Sequence, residues 1–231
     1  TLQPKPKLKA QAGFPFQLPL IQDLEAVDFE TPVTFFVGEN GSGKSTLLRL
    51  LAGLYRPQVG AVLIDGRDIR QFDPKALRQS VAYMTTRAEL FDGTLRENML
   101  IAEPGVTDEA IWSALDAANV KPEIERLPEG LDTVLSARRP NDLPDSVVTR
   151  LALARVLLRV HAKKESGHEH PIVLFDEPIN GLDYESEFAF MDTLTTLKGQ
   201  ATVFLVTHRP SHLRVADKVL LLDRGTVAYF G

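Results

Sequence analysis

The stretch that decides the fold reads Gly38-Glu39-Asn40-Gly41-Ser42-Gly43-Lys44-Ser45-Thr46. It fits the pattern G-x-x-x-x-G-K-[S/T], in which backbone N–H groups curl around a phosphate group. Residues 32–37 before it form an apolar run typical of a buried strand, and residues 45–54 after it are typical of a helix. A helix N-terminus adds partial positive charge to such a loop. The sequence therefore predicts a nucleoside triphosphate site.

Two residues of this loop have specific expected roles. Lys44 is placed to reach the β- and γ-phosphates, and the Ser45 hydroxyl is placed to bind Mg²⁺. All nine residues of the stretch, Gly38 to Thr46, are expected to line the nucleotide phosphates.

Composition narrows the functional classes. The 231 residues carry 31 acidic and 26 basic side chains, a net charge of −5, so no nucleic-acid partner is expected. The absence of cysteine excludes disulfides and thiolate metal sites. No apolar run approaches the roughly 20 residues that span a bilayer. No signal peptide is expected from the composition of the opening residues. The Lys- and Pro-rich opening at 1–7 is typical of a linker from a longer protein.

Two apolar runs further along the chain end in polar residues suited to phosphate chemistry. Residues 172–175 lead into Asp176-Glu177, and residues 202–206 lead into Thr207-His208. Carboxyl ends of parallel strands share one sheet edge, where ligands bind. Asp176 is predicted to hold Mg²⁺. Glu177 follows it, so on a strand it points away from Asp176 and can serve as the general base. His208 is predicted to hydrogen-bond the γ-phosphate or the attacking water.

The other elements alternate between strand and helix, which makes the class α/β. Strands are predicted at 59–64 and 81–84, and helices at 75–79, capped by Asp73, from a Thr107 cap to Ala118, and at 151–160. Residues 14–37 are interpreted as short strands. The polar segment 161–170, with its three histidines, is interpreted as an exposed loop rather than a metal site.

Taken together, these motifs resemble the nucleotide-binding domain of ABC transporters over most of the chain. The similar stretches are the Walker A loop at 38–46, the Walker B strand Leu174-Phe175-Asp176-Glu177-Pro178, the D-loop Asn180-Gly181-Leu182-Asp183 and the switch histidine His208. Residues 90–98 and 127–133 resemble the exporter-type cassettes of this family, whose helical subdomain meets a transmembrane domain.

The resemblance implies one ABC-type P-loop NTPase domain over 1–231, with a mainly parallel central sheet, a small antiparallel β subdomain and a helical subdomain. The implied parts are a linker at 1–12, the β subdomain and Walker A region at 13–86, the helical subdomain at 87–158 and the Walker B region at 159–231. Phe16, or alternatively Phe14, is expected to stack on adenine, and Asp183 to contact a second subunit.

Several positions depart from the family pattern. The signature Leu-Ser-Gly-Gly-Gln, which one cassette lends to its partner's ATP, is replaced by Leu143-Pro144-Asp145-Ser146-Val147. Pro144 has neither hydroxyl nor N–H, and Asp145 would bring an anion toward a phosphate. Thr86 stands where the Q-loop glutamine is expected, and residues 136–139 read Ser-Ala-Arg-Arg. Residues 14–50 resemble soluble, non-transporting relatives more than exporters.

The favoured hypothesis is an ATPase cassette that binds Mg²⁺-ATP and powers an exporter-like transporter at the cytoplasmic face of a membrane. Its partners would be a transmembrane domain and a second cassette, as a heterodimer in which the partner supplies an intact signature. Two alternatives remain. A cytosolic ABC-type ATPase would lack membrane association, and a regulatory nucleotide-binding module would hydrolyse little ATP whether or not Glu177 is changed to Gln.

Overall fold

The computed structural model describes residues 2–3, 27–57, 60–135, 143–165, 167, 171–179 and 183–231. Its strands are β1 (Leu2–Gln3), β2 (Val33–Gly38), β3 (Ala61–Ile64), β4 (Arg67–Asp68), β5 (Val81–Met84), β6 (Gly93–Thr94), β7 (Val134–Leu135), β8 (Ile172–Asp176), β9 (Thr202–Val206), β10 (Lys218–Asp223) and β11 (Thr226–Phe230). Its helices are α1 (Lys44–Leu51), α2 (Pro74–Ser80), α3 (Leu95–Leu100), α4 (Asp108–Ala117), α5 (Lys121–Glu125), α6 (Asp145–Glu165) and α7 (Tyr184–Leu197).

The chain divides into two compact units. One contains the described residues up to Val81 together with Thr202–Gly231, and the other contains the described residues from Ala82 to Ala201. In the first unit, the strand order is β11-β10-β2-β9, with β2 parallel to both of its neighbours and β11 antiparallel to β10. In the second unit, β8 and β5 are neighbours. The parallel pairing of β2 with β9 and β10 agrees with the mainly parallel central sheet that the sequence predicts.

The strands of the first unit form because their residues are apolar on both faces, as is typical of parallel sheets. Residues 33–36 of β2 and residues 203–206 of β9 are all buried. Four phenylalanine rings pack together with centroids 5.0–6.0 Å apart: Phe29, Phe36, Phe204 and Phe230. This cluster holds the strand that leads into the phosphate loop in its place.

A small antiparallel sheet, with the order β1-β3-β4, accompanies the first unit. Leu2 pairs with Val62 and Gln3 pairs with Ala61. These two residues therefore lie in a sheet, although the sequence places them in a linker. The turn at Asp65-Gly66 joins β3 to β4, as its Asp-Gly pair predicts.

The second unit is mainly helical, and α4 packs against α6. The Thr107 side chain caps α4 by accepting a hydrogen bond from the Ala110 N–H. Apolar side chains at the predicted i, i+3, i+4 spacing are buried beneath it: Ile111, Ala114 and Leu115. The predicted strands 172–175 and 202–206 are confirmed as β8 and β9, and β5 has its predicted bounds.

The prediction of helix 151–160 was too short. Helix α6 begins at Asp145 and ends at Glu165, so residues 161–165 are helical and not part of an exposed loop. Basic residues suit this C-terminus because they complement the helix dipole, and Lys163 also lies 4.0 Å from the Glu103 carboxylate. The D-loop residues 180–182, the predicted adenine-stacking residues Phe14 and Phe16, residues 136–139 and two of the three histidines lie outside the described residues.

Among the described residues, no helix has the length and apolar character needed to cross a membrane. The described ranges also contain no cluster of histidine and acidic side chains that could hold a metal ion.

Candidate functional site

The phosphate loop runs from the end of β2 to the start of α1, as the sequence predicts. Lys44 is 5% exposed, and its Nζ donates hydrogen bonds to the carbonyl oxygens of Gly38 (2.6 Å) and Glu39 (2.8 Å). The ammonium group is therefore held against the loop backbone. Gly43, at the N-cap of α1, has φ of 103°, and within the described residues no side chain caps this helix. The N-terminal charge of α1 is thus directed at the loop.

Gly38 is the position where the loop requires glycine most strictly. Its φ is +151°, and a Cβ atom there would lie 2.2 Å from the Leu222 carbonyl oxygen and 2.7 Å from the Ser42 Oγ. Any other side chain would displace the turn that follows β2.

The Ser42 hydroxyl supplies a test of whether the loop suits a phosphate. This oxygen is buried and has no hydrogen-bond partner among the described residues. An unsatisfied buried hydroxyl is costly, and a phosphate oxygen would accept its proton. Together with the Lys44 ammonium and the α1 N-terminus, it forms a donor set that fits an anion bound by the loop.

The sheet register brings His208 to the same edge as the phosphate loop. In the parallel pair β2–β9, Phe36 lies opposite Val206. Gly38 and His208 each lie two residues beyond this pair, so both follow the carboxyl ends of adjacent strands. His208 is exposed, whereas the preceding Thr207 is buried. Among the described residues of the first unit, the register thus brings the phosphate loop and His208 to one sheet edge.

The predicted magnesium ligand Asp176 lies in the second unit, at the carboxyl end of β8. It is 2% exposed, and the Tyr83 hydroxyl in β5 donates a 3.2 Å hydrogen bond to its Oδ2. A carboxylate held by a neighbouring hydroxyl has a fixed orientation, which suits a ligand for a hard cation. The sequence alone did not identify Tyr83, because a single tyrosine in a buried strand carries no motif.

Glu177, the predicted base, occupies an unusual backbone conformation. Strand β8 ends at Asp176, and Glu177 has φ of +51°, in the left-handed region that side chains other than those of Gly, Asn and Asp rarely adopt. The direction of its carboxylate is therefore set by this turn, not by strand alternation as the sequence suggested. Such strain is concentrated at functional positions.

The degenerate signature stretch forms the start of α6. The Pro144 carbonyl accepts hydrogen bonds from the N–H groups of Val147 (2.9 Å) and Val148 (3.1 Å), and Asp145 lies in the first helical turn. Pro144 and Asp145 are both exposed. Arg150 anchors this end of α6 through a 2.8 Å ion pair with Glu123 and a hydrogen bond to the Asn119 carbonyl.

Asp183, predicted to contact a second subunit, caps α7. Its carboxylate accepts a 2.8 Å hydrogen bond from the Ser186 N–H, and this bond lowers the pKa of the Asp183 carboxyl.

A groove of about 280 Å³ lies in the second unit, between the segment after β5, helix α3 and helix α6. Its walls include two half-exposed apolar side chains, Phe91 (47%) and Ile101 (51%).

Two arginines of α6, Arg155 and Arg159, line the same groove. Arg155 donates a 2.5 Å hydrogen bond to the Glu89 carbonyl, and Arg159 bonds the Ala102 carbonyl at 2.9 Å. Burial lowers the pKa of both guanidinium groups. The sequence did not indicate this groove, although the i, i+4 spacing of Arg155 and Arg159 places them on one face of α6.

A phosphate loop between a buried parallel strand and a helix, with acidic residues ending a second strand, defines a P-loop NTPase fold. The sequence profile of the ABC transporter family matches residues 28–180, two thirds of the chain. The chain therefore belongs to the ABC transporter family, as the motifs predicted, and has the fold of that family. Domains of this family bind ATP, generally with Mg²⁺.

Individual relatives agree with this assignment. The mycobactin import ATP-binding/permease protein IrtB of Mycolicibacterium thermoresistibile is 36% identical over 198 residues, covering 86% of this chain and 32% of IrtB. The mitochondrial iron-sulfur clusters transporter ATM1 of Saccharomyces cerevisiae is 36% identical over 84% of this chain and 27% of ATM1.

A solved structure of a bacterial Atm1-family ABC exporter with ATP bound is also similar, with a TM-score of 0.77 and 31% identity over 87% of this chain and 34% of that protein. The chain thus spans about a third of the length of these relatives.

Proposed function

We propose that this chain is the ATP-binding and ATP-hydrolysing cassette of a membrane transporter and acts at the cytoplasmic face of a membrane. The observation that carries the proposal is the phosphate loop, with Lys44 held on two loop carbonyls and the Ser42 hydroxyl without a partner. Membership of the ABC transporter family supports ATP as the nucleotide. The relatives named as ATP-binding/permease or transporter proteins support the link to transport.

Binding of the nucleotide falls to the loop residues. The backbone N–H groups of Gly38 to Thr46 and the Lys44 ammonium hold the phosphates, because all of them offer donors to an anion. The Ser45 hydroxyl and the Asp176 carboxylate are the oxygen ligands that Mg²⁺ prefers. When bound, Mg²⁺ neutralises charge on the phosphates.

Hydrolysis requires a base and a charge sensor. Glu177 orients a water molecule and takes its proton while the water oxygen bonds to the γ-phosphorus. The bond between that phosphorus and the β–γ bridging oxygen breaks, which yields ADP and phosphate. His208 hydrogen-bonds the γ-phosphate and so distinguishes ATP from ADP.

The enzymatic part of the proposal is tested by measuring how fast the Glu177→Gln variant releases phosphate from ATP. The substitution keeps the shape of the side chain and removes the base, so turnover is expected to fall at least about 10²-fold with ATP binding retained. Glu109→Gln, on the exposed start of α4, is a matched control that should keep full turnover. Hydrolysis by Glu177→Gln at the normal rate would remove Glu177 from the mechanism.

The second cassette of the proposed transporter would be a different chain. Pro144 and Asp145 lie exposed at the start of α6, where the family lends donors to a partner's ATP, and neither offers a side-chain donor. Loss of such donors costs about 10²–10³ in rate. A partner with an intact signature would complete the site of this chain.

The solution mass of Glu177→Gln with and without Mg²⁺-ATP tests this asymmetry, since slow hydrolysis should trap a closed dimer. We expect the ATP-bound chain to remain near 25.6 kDa. A shift to twice that mass would mean that the altered signature still engages ATP, and the heterodimer proposal would fall.

The groove beside α6 is the proposed docking surface for the transmembrane partner. Its apolar rim, Phe91 and Ile101, and its cationic floor, Arg155 and Arg159, suit a segment with apolar side chains and a carboxylate. The chain contains no cysteine, so Ile101→Cys provides a single reactive thiol. Assembly with the membrane partner should slow maleimide labelling of that thiol, but not of Leu54→Cys, a residue exposed to the same extent.

A second candidate is a regulatory nucleotide-binding module. It is favoured by the exposed Pro144 and Asp145 and by Thr86 in place of the expected glutamine. Tight ATP binding without phosphate release, even in the presence of a cassette with an intact signature, would favour this candidate over the transporter ATPase.

A further inference from the structure

A buried histidine, His212, lies close to the predicted γ-phosphate sensor in the chain but takes no part in the site described above. It is 1% exposed, on the 3₁₀ turn Pro210–Val215 that follows His208. A fully buried imidazole needs hydrogen-bond partners, and one of them is the Thr207 hydroxyl, 2.9 Å from the His212 Nδ1.

Thr207 connects this imidazole to the turn that carries His208. Its Oγ1 also accepts a 3.1 Å hydrogen bond from the Arg209 N–H. The Thr207 hydroxyl therefore links the residue before His208, Thr207 itself, to the residue after it, Arg209, through the Arg209 N–H. The His208 side chain is exposed, and this turn sets the position of the backbone that carries it.

The hydrogen bonds of the Thr207 hydroxyl are compatible with a neutral His212. A hydroxyl has one proton and two lone pairs. With the Arg209 N–H donating to it, its own proton is available to an unprotonated Nδ1 of a neutral His212. Burial, and then the positive charges of Arg209 and Arg214, lower the pKa of His212, which agrees with the neutral form.

We propose that His212 is a positioning residue for His208: its imidazole accepts the Thr207 hydroxyl proton and fixes the turn that presents His208 to the γ-phosphate. The inference rests on the proposed function, in which His208 senses the γ-phosphate. It predicts that a residue that never touches the nucleotide controls the preference of this chain for ATP over ADP.

The test measures the affinities of the full chain for Mg²⁺-ATP and Mg²⁺-ADP by calorimetry and compares their ratio among variants. His208→Ala should reduce the ATP/ADP preference about tenfold, the scale of one hydrogen bond to a charged group. His212→Ala should reduce it several-fold with the ADP affinity kept. The double variant should fall no further than His208→Ala, because His212 acts through His208.

Conservative variants separate positioning from loss of folding. His212→Asn places an amide oxygen where Nδ1 lies and should restore the preference. Thr207→Val removes the hydroxyl at nearly constant shape and should reproduce His212→Ala, whereas Thr207→Ser should not. Should His212→Ala fail to fold, the Thr207 pair decides the question.

Each of the remaining outcomes overturns the inference. If His208→Ala lowers the ratio and neither His212→Ala nor Thr207→Val does, His212 has no positioning role and the sensor assignment stands. Additive losses in the double variant would make the two histidines independent. If His208→Ala leaves the ratio unchanged, the sensor assignment itself fails and the inference fails with it.

Discussion

The left-handed backbone of Glu177 leads to a prediction that links stability to catalysis. At φ of +51° the Cβ atom is crowded against the backbone, which costs roughly 1–2 kcal/mol for a residue other than glycine. Glycine avoids this cost but loses about 0.5–1 kcal/mol more through the entropy of its unfolded state. The midpoints of these two ranges differ by about 0.75 kcal/mol, so Glu177→Gly should be more stable than Glu177→Ala by about that amount, and neither variant is expected to hydrolyse ATP.

The comparison of these two variants isolates the backbone term. Both remove the carboxylate beside Asp176, so any effect of its charge cancels in the difference between them. Urea unfolding of each purified variant gives that difference directly, and for a chain of this size a thermal midpoint higher by about 1–4 °C is expected.

Arg224 provides the matched control. It has φ of +44° in the exposed turn between β10 and β11, and no role in the proposed chemistry is assigned to its side chain. Arg224→Gly should exceed Arg224→Ala in stability by a similar amount, with ATP turnover unchanged in both. If the pair at 224 shows the difference and the pair at 177 does not, the strain at Glu177 is absent in solution, and the argument from its backbone to its function fails.

Three further predictions concern the nucleotide, the partner and pH. Lys44→Ala should lower ATP affinity at least about tenfold in a fluorescent-nucleotide titration, and full affinity would remove the loop from the site. In the Glu177→Gln background, Pro144→Ser with Asp145→Gly should produce an ATP-dependent dimer of twice 25.6 kDa, and a persistent monomer would show that other residues limit closure. His212 has a pKa lowered from its ordinary 6.5, so its contribution to stability is complete above about pH 6.5 and is lost as pH falls toward the lowered pKa. Urea midpoints from about pH 7.5 to 5.5 should therefore fall less steeply in His212→Asn, and equal slopes would contradict the neutral state of His212.

The sequence predicted those parts of the molecule that depend on local pattern. The phosphate loop follows from residue types at fixed spacing, and its flanking strand and helix follow from apolar runs next to it. The Thr107 cap and the Asp73 cap were predicted for the same reason, since a cap requires only residues three or fewer positions apart. Asp176 was placed correctly at the end of β8, because the apolar run of four residues before it ends at the first charged residue.

Contacts between distant residues and backbone conformation could not be predicted in this way. Tyr83 and Asp176 are 93 positions apart in the chain, and their hydrogen bond exists only because β5 and β8 are neighbours. The sequence gives no indication that Glu177 has a positive φ, because glutamate rarely adopts that conformation. The last turn of α6 was missed because its lysines and glutamate resemble a loop in composition, although lysine and glutamate are good helix formers.

The start of α6 gives the physical reason for the proposed asymmetry. In that proposal, this chain receives hydrogen-bond donors for its ATP from a partner cassette and supplies none to the ATP of the partner. A signature with a serine and glycines leaves hydroxyl and N–H groups at a helix N-terminus for a partner's phosphate. Here Pro144 has no N–H to offer, its carbonyl is used within the helix, and the Asp145 carboxylate already complements the helix dipole. The substitutions therefore stabilise α6 itself while they remove its attraction for an anion.

In the same chain, the phosphate loop keeps the Lys44 ammonium and the Ser42 hydroxyl as donors for an anion. An ATP bound there would depend on a second chain for the donors that α6 no longer carries, so turnover should follow the concentration of that partner and not of this chain alone.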